Sequence, residues 1–209
     1  MIQTTRRRAG IVVAWGVLAL GCAPALQRES AVEATGRLDA KLANSTWIED
    51  GRLVALIVSS RATGFRLKRA YIPIEVAIAN RGVKSLTLTR ESFTIGDVRG
   101  RRYPLAGRKE LADGYGGSVD LDRRNLTEAA PIVLGKFQSL TRVPSNFSPG
   151  FDNPIALDRV FLPRFSYLLD FLYFPTPEGY VAGEPLELRV AAPELQDPIF
   201  VRFTVSAGG

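Results

Sequence analysis

The side chains that could do chemistry are few, and the absences narrow the field first. The chain has 209 residues, no histidine and one cysteine, Cys22. A Ser-His-Asp triad, a Cys-His pair and a His-ligated zinc site each need an imidazole, so all three are excluded. A disulfide within the chain needs a second thiol. Carboxylates could still act, either as a pair in glycoside hydrolysis or as ligands of a hard cation. The most site-like stretch is Asp113-Gly114-Tyr115-Gly116-Gly117-Ser118-Val119-Asp120-Leu121-Asp122. Asp113, Asp120 and Asp122 could present oxygens to calcium, with glycines allowing close backbone approach. The spacing is not that of an EF-hand loop and no glutamate closes it. A polar turn leading into a helix capped by Asp120 accounts for the same letters, and we expect no metal and no cofactor. A hydrolase would need two convergent carboxylates, drawn from Asp113, Asp120, Asp122 and Asp152. No Ser-x-x-Lys, Gly-x-Ser-x-Gly or phosphate-loop motif occurs. No catalytic residue is therefore assigned, and the chain is read as a non-enzyme.

Two further groups bear on binding. Arg99, Arg101, Arg102, Arg108 and Lys109 surround one expected hairpin, with Arg123 and Arg124 beyond. They could attract polyanions or lipid headgroups, but Asp97, Glu110, Asp120 and Asp122 lie close in sequence, and a self-neutralising face is the simpler reading. Phe147 and Phe151 sit among glycine, proline and asparagine, where loops seldom need phenylalanine. With Arg101 and Arg102 they make the expected partner surface. The alternative is that they pin their loop to the core.

The first 22 residues, MIQTTRRRAGIVVAWGVLALGC, carry a different chemistry. Arg6, Arg7 and Arg8 form a basic start, and Ile11 to Leu20 an apolar run too short for a confident transmembrane span of about 20 residues. This is the order of a secretory signal. Its end, Leu18-Ala19-Leu20-Gly21-Cys22, resembles the lipobox of bacterial lipoproteins. Gly21 and Cys22 match that pattern, whereas Ala19 and Leu20 stand where it has leucine and a small residue. The resemblance implies transfer of a diacylglyceryl group to the Cys22 thiol, cleavage between Gly21 and Cys22, and acylation of the new amine with a palmitate-type chain. It also implies attachment to the cell envelope. Ala23, in place of an aspartate, implies the outer membrane, facing the periplasm. Two other readings stay open: an ordinary cleavage site after Ala23 or Ala25, and an uncleaved anchor. Loss of residues 1–21 removes three arginines and no acid, so a net charge of +6 becomes +3. That is no nucleic-acid footprint.

These groups need a scaffold, and the hydropathy pattern supplies one. Residues 22–46, rich in alanine and charge, read as a lipidated start and tether, with a short helix expected over 31–42. From Trp47 the period becomes 2. Val54 to Val58 is an apolar run, then a turn is expected at Gly64. Ile72, Ile74, Val76 and Ile78 alternate, and Asn80-Arg81-Gly82 turns the chain. Leu86 and Leu88, then Phe93 and Ile95, continue the alternation. Ser166 to Phe174 is apolar on both faces, as in a strand covered on both sides. Leu186 to Val190 and Ile199 to Val205 alternate again. The segment 106–151 breaks the pattern, with two short helices expected at Arg108–Ala112 and Leu121–Ala129. Short strands with frequent turns predict a mainly β fold: an antiparallel β-sandwich over 47–209 with a partly helical insertion at 106–151. Tyr71 to Asn80, Leu86 to Phe93 and Gly100-Arg101-Arg102-Tyr103 together resemble immunoglobulin-like, telokin-like extracytoplasmic domains. That resemblance implies a lipid-anchored binding or structural accessory module of the envelope, with an envelope protein as partner. The alternative is a carboxylate-dependent hydrolase acting on envelope glycans.

Overall fold

The computed structural model describes residues 39–207. The signal, Gly21, Cys22 and most of the expected tether lie outside them.

The elements are β1 (Ala40–Ala43), β2 (Thr46–Asp50), β3 (Val54–Ser59), α1 (Arg61–Arg66), β4 (Tyr71–Asn80), β5 (Ser85–Thr89), β6 (Phe93–Gly96) and β7 (Arg102–Pro104). Then follow α2 (Arg108–Asn125), α3 (Ala129–Lys136), β8 (Thr141–Arg142), β9 (Arg159–Pro163), β10 (Ser166–Pro175), β11 (Pro185–Val190) and β12 (Ile199–Thr204). One sheet has the order β1-β2-β3-β4-β10-β8, a second β12-β11-β6-β7, and β5 pairs with β9 alone. Every pairing is antiparallel except the short β8–β10 contact. The mainly β sandwich with a partly helical insertion is therefore the fold.

The spine is β4 against β10, paired from Asn80↔Ser166 to Tyr71↔Pro175. Alternation sends Ile72, Ile74, Val76, Ile78, Leu168, Leu172 and Phe174 inward, against Ile95, Leu186, Leu188, Val201 and Phe203 of the second sheet. Fully burying each such side chain contributes about 1.5–3 kcal/mol over leaving it in water. The outer face of the spine is covered as well. Ala77, Ala79 and Tyr167 pack under α3, and Phe171 and Tyr173 under α2. Two covered faces explain the two apolar faces of Ser166–Phe174.

Pro73 sits in this central strand without loss. On its far side β3 reaches only as far as Glu75, paired with Ser59. Beyond that α1 replaces the strand, and the Thr63 hydroxyl donates to the Pro73 carbonyl at 2.5 Å. The missing proline N–H therefore faces no strand that would need it.

Three expectations about local structure need correction. Gly64 lies within α1 and not in a turn. The sheet begins inside the expected tether: β1 occupies residues expected to be helical, and Asp39 bridges to the second sheet. Its N–H donates to the Arg202 carbonyl (3.3 Å) and its carboxylate accepts from the Arg202 N–H (2.7 Å). Finally, α2 is one helix that runs straight through the glycine-rich stretch. Helical glycines cost about 0.5–1 kcal/mol each relative to alanine. Leu111, Tyr115, Val119 and Asp122 fall on one face and are buried, which more than offsets that cost. Gly114 also leaves room for the Tyr71 ring, 3.2 Å from where a Cβ would stand.

Candidate functional site

With α2 continuous, the three acids of the calcium reading point different ways. Asp113 is exposed. Asp120 turns to the loop after β8, its Oδ2 accepting from the N–H groups of Phe151 (2.6 Å) and Asp152 (3.3 Å). It caps no helix. Asp122 is wholly buried on the sheet side. Arg66 donates to its Oδ1 through Nε (2.9 Å) and Nη2 (2.7 Å), and the Tyr115 hydroxyl to its Oδ2 at 2.6 Å. The Tyr173 hydroxyl stands 3.4 Å away. Burial, then the neighbouring carboxylate, holds both phenols far above the usual tyrosine range, so they remain donors. Asp122 is thus a packing hub. Among the described residues no group of three or more potential ligands gathers as a metal site.

The expected partner surface also divides. Phe147 is 0% exposed, its ring 5.1 Å from that of Phe93 in the inner core, so it cannot meet a partner. It is the pin of its loop. Its N–H donates to Asp170 Oδ2 (2.9 Å) and its carbonyl accepts from Arg90, which also bonds the Ala106 carbonyl. Phe151, four residues on, is 76% exposed. Arg101 and Arg102 belong to the β6–β7 hairpin elsewhere. Arg101 bonds Asp97 through Nε (2.8 Å) and the Glu178 carbonyl through Nη2 (2.8 Å), while Arg102 is exposed. Asp97 also accepts from the N–H groups of Arg99 and Arg101 and from the Tyr103 hydroxyl. Burial alone would raise its carboxyl, but these donors bring it below the usual range. Most of the basic cluster is paired in the same manner: Arg108 with Asp158, Arg123 with Asp170, Arg124 with Asp152.

What the fold does assemble is a cleft of about 460 Å³ between the end of α2, the start of α3 and the loop 143–155. Its floor is the edge of β10 that faces away from β4. There β8 pairs only with Ser166 and Tyr167. Further along, the cover is piecemeal. Ser145 Oγ donates to the Leu169 carbonyl (3.3 Å), the Phe171 N–H goes to Asp170 Oδ1 (2.8 Å), and the Ala106 N–H to the Tyr173 carbonyl (2.9 Å). Arg123 ties floor to wall, donating to Asn146 Oδ1 (2.8 Å), the Ser148 carbonyl (2.6 Å) and Asp170 Oδ1 (3.4 Å). Burial pushes the Asp170 carboxyl above its usual range, against the pull of the Phe147 amide and Arg123.

Glu75 forms the inner wall. Its Oε2 accepts from the N–H groups of Glu128 and Ala129 (2.8 Å each), and its Oε1 from the Thr127 hydroxyl. A carboxylate from another strand thus satisfies the first turn of α3 and complements its dipole. At the mouth stand Arg142, exposed and in no ion pair among the described residues, and the exposed pair Arg124–Asp152; Phe151, next in the chain, lays its ring against Gly117 of α2. An exposed pair contributes about 0–1 kcal/mol and can be exchanged cheaply for a ligand.

Sequence reasoning placed Asp120, Asp152 and Phe151 among the candidates and missed Glu75, Asp170, Arg90 and Arg142. A lone acid inside each long apolar run, Glu75 in 71–80 and Asp170 in 166–175, was the available signal.

No family model matches the chain, and no curated protein matches it. Among solved structures it is similar to the YjhA protein of Bacillus subtilis, at 11% identity and a TM-score of 0.40, over 76% of this chain and 96% of that one. It is also similar to a DUF4426-family protein of Pseudomonas aeruginosa, at 10% identity and a TM-score of 0.33, over 79% of this chain and 98% of that one.

Proposed function

We propose that this protein is a lipid-anchored module of the cell envelope, attached through Cys22, that binds a polar segment of an envelope protein partner. The cleft beside β10 is the recognition site. The observation that carries this reading is its construction: a floor of strand edge covered by single side chains, with Arg142 and the exchangeable Arg124–Asp152 pair at the mouth and the exposed Phe151 next to Asp152 in the chain. An extended peptide could meet both the edge and these side chains. A photo-crosslinking residue at Phe151 should capture a partner in intact envelopes, and Arg124→Glu with Arg142→Glu should abolish the capture. No adduct, or an adduct indifferent to the charge reversals, would sink the reading. For the anchor, Cys22→Ser should lose lipid label and membrane attachment.

Hydrolysis of envelope glycans is the second reading, and one observation favours it: Asp120 and Asp152 line the same cleft. Both carboxylates are already engaged, with loop amides and with Arg124, which supports binding over catalysis. Glycan cleavage that is lost in Asp152→Asn would reverse that preference.

A further inference from the structure

Three chain reversals meet at one end of the sandwich: 51–53 between β2 and β3, 81–84 after β4, and 164–165 between β9 and β10. They are bonded to one another. The Leu53 carbonyl accepts from the N–H groups of Arg81 (2.8 Å) and Gly82 (3.0 Å). The Phe165 N–H donates to the Asn80 carbonyl (2.7 Å), and that of Arg164 to the Lys84 carbonyl (3.2 Å). Two large apolar side chains project from this end, Leu53 at 53% exposure and Phe165 at 54%. A depression of about 390 Å³ lined by Leu53, Val54, Leu195 and Ile199 extends the apolar surface.

Phe165 is costly in this place. Its φ is +61°, the one positive value at a non-glycine residue among those described. Left-handed backbone is strained for an L-residue with a Cβ, a strain that glycine would avoid. A strained tip that holds an exposed ring suggests that the ring has a use outside the fold. The Arg164 guanidinium lies 4.5 Å from the ring centroid. Arg52, Lys84 and Arg164 are all exposed, and none is in an ion pair among the described residues. Of the nearby acids, Asp50 is held by Arg81 and Lys136 and Glu194 by Thr87, while Glu49 lines the same depression as Arg52 and Asp197 is exposed.

The topology adds an independent observation. β1 is antiparallel to β2, with Ala40 opposite Ile48, and β2 runs into the reversal that carries Leu53. The chain therefore enters β1 from this same end. Residues 22–38 precede it, so Cys22 can lie no farther from Asp39 than about 60 Å of fully extended chain.

We infer that this end of the sandwich rests on an anionic lipid surface, with Leu53 and Phe165 in the interfacial layer and Arg52, Lys84 and Arg164 against headgroup phosphates. Anchoring at Cys22 would hold the tip close to the bilayer, so the inference deepens that reading, yet the contact is tested without the anchor. The mature chain, residues 22–209, carrying Cys22→Ser receives one new cysteine, Leu53→Cys or, at the opposite end, Glu178→Cys, labelled with an environment-sensitive fluorophore. Phosphatidylglycerol-containing vesicles should shift the Leu53 label to the blue and raise its intensity. Phosphatidylcholine vesicles should not, nor should either vesicle move the Glu178 label. Phe165→Asp, or Arg52→Glu with Arg164→Glu, should abolish the response. An unchanged Leu53 label, or an equal change at Glu178, overturns the inference. Lipid labelling of the unmutated Cys22 scores the anchoring separately.

Discussion

Replacing Arg66 by methionine keeps most of the apolar stem and removes the one cation bonded to the buried Asp122 among the described residues. The carboxylate is 0% exposed and takes two N–H bonds from Arg66, at 2.9 and 2.7 Å. Without them its donors among the described residues are the hydroxyls of Tyr115 and Tyr173. Stripping one partner from a buried pair costs about 3–5 kcal/mol, because the remaining charge is uncompensated. For a domain of this size that lowers Tm by roughly 6–20 °C, at about 2–4 °C per kcal/mol. Asp122→Leu does different damage. Its guanidinium partner is 21% exposed and can turn to water, but the Tyr115 hydroxyl loses its acceptor at a cost of about 1–3 kcal/mol. The double variant removes both charges, so the penalty for an uncompensated carboxylate disappears. It should fall short of the summed single losses by at least about 1.5 kcal/mol. Urea unfolding of all four proteins with unchanged slopes gives the cycle directly. Losses that add within about 0.5 kcal/mol would refute the hub.

Asp97→Asn should cost about 1.5–3 kcal/mol at neutral pH, since its charged oxygens organise the β6–β7 hairpin. The folded carboxyl lies below its usual range, so the wild type's advantage is full above the unfolded pKa near 4. It fades as pH falls through the lowered folded value, and urea unfolding at a series of pH values should show the gap closing with acid. Gly150→Ala would drive a methyl into the Asp120 carboxylate. It should destabilise by about 1–3 kcal/mol and speed exchange of the Phe151 and Asp152 amides. Gly135→Ala, in α3 with nothing within 4 Å of the new methyl, should instead stabilise by about 0.5–1 kcal/mol in thermal melts.

The residues 71–80 and 166–174 announce both strands of the spine, because their apolar faces follow period 2 and burial enforces that period. The double-faced pattern of the second even predicts its cover. Residues 108–125 mislead for the opposite reason. Glycine propensity is local, whereas the burial of Leu111, Tyr115 and Val119 that overrides it depends on Phe171 and Tyr173, more than fifty residues away. Phe147 reads as exposed because its neighbours are loop-formers, and its burial is set by Phe93, Arg90 and Asp170, none of them near in sequence. The cleft was half legible. Asp120 and Asp152 could be named as candidates, but the bonds that commit them to loop amides and to Arg124 are tertiary, as are the partners of Glu75 and Asp170.

The way the chain enters the domain has a mechanical side. Any pull arriving through the residues before Asp39 acts along β1, towards the end where β2 turns. The β1–β2 hydrogen bonds lie across that direction, so they are loaded together in shear and do not unzip one at a time. Asp39 grips Arg202 of the opposite sheet by two bonds, which shares the load between the two halves of the sandwich. The chain enters the domain at a point built to bear tension.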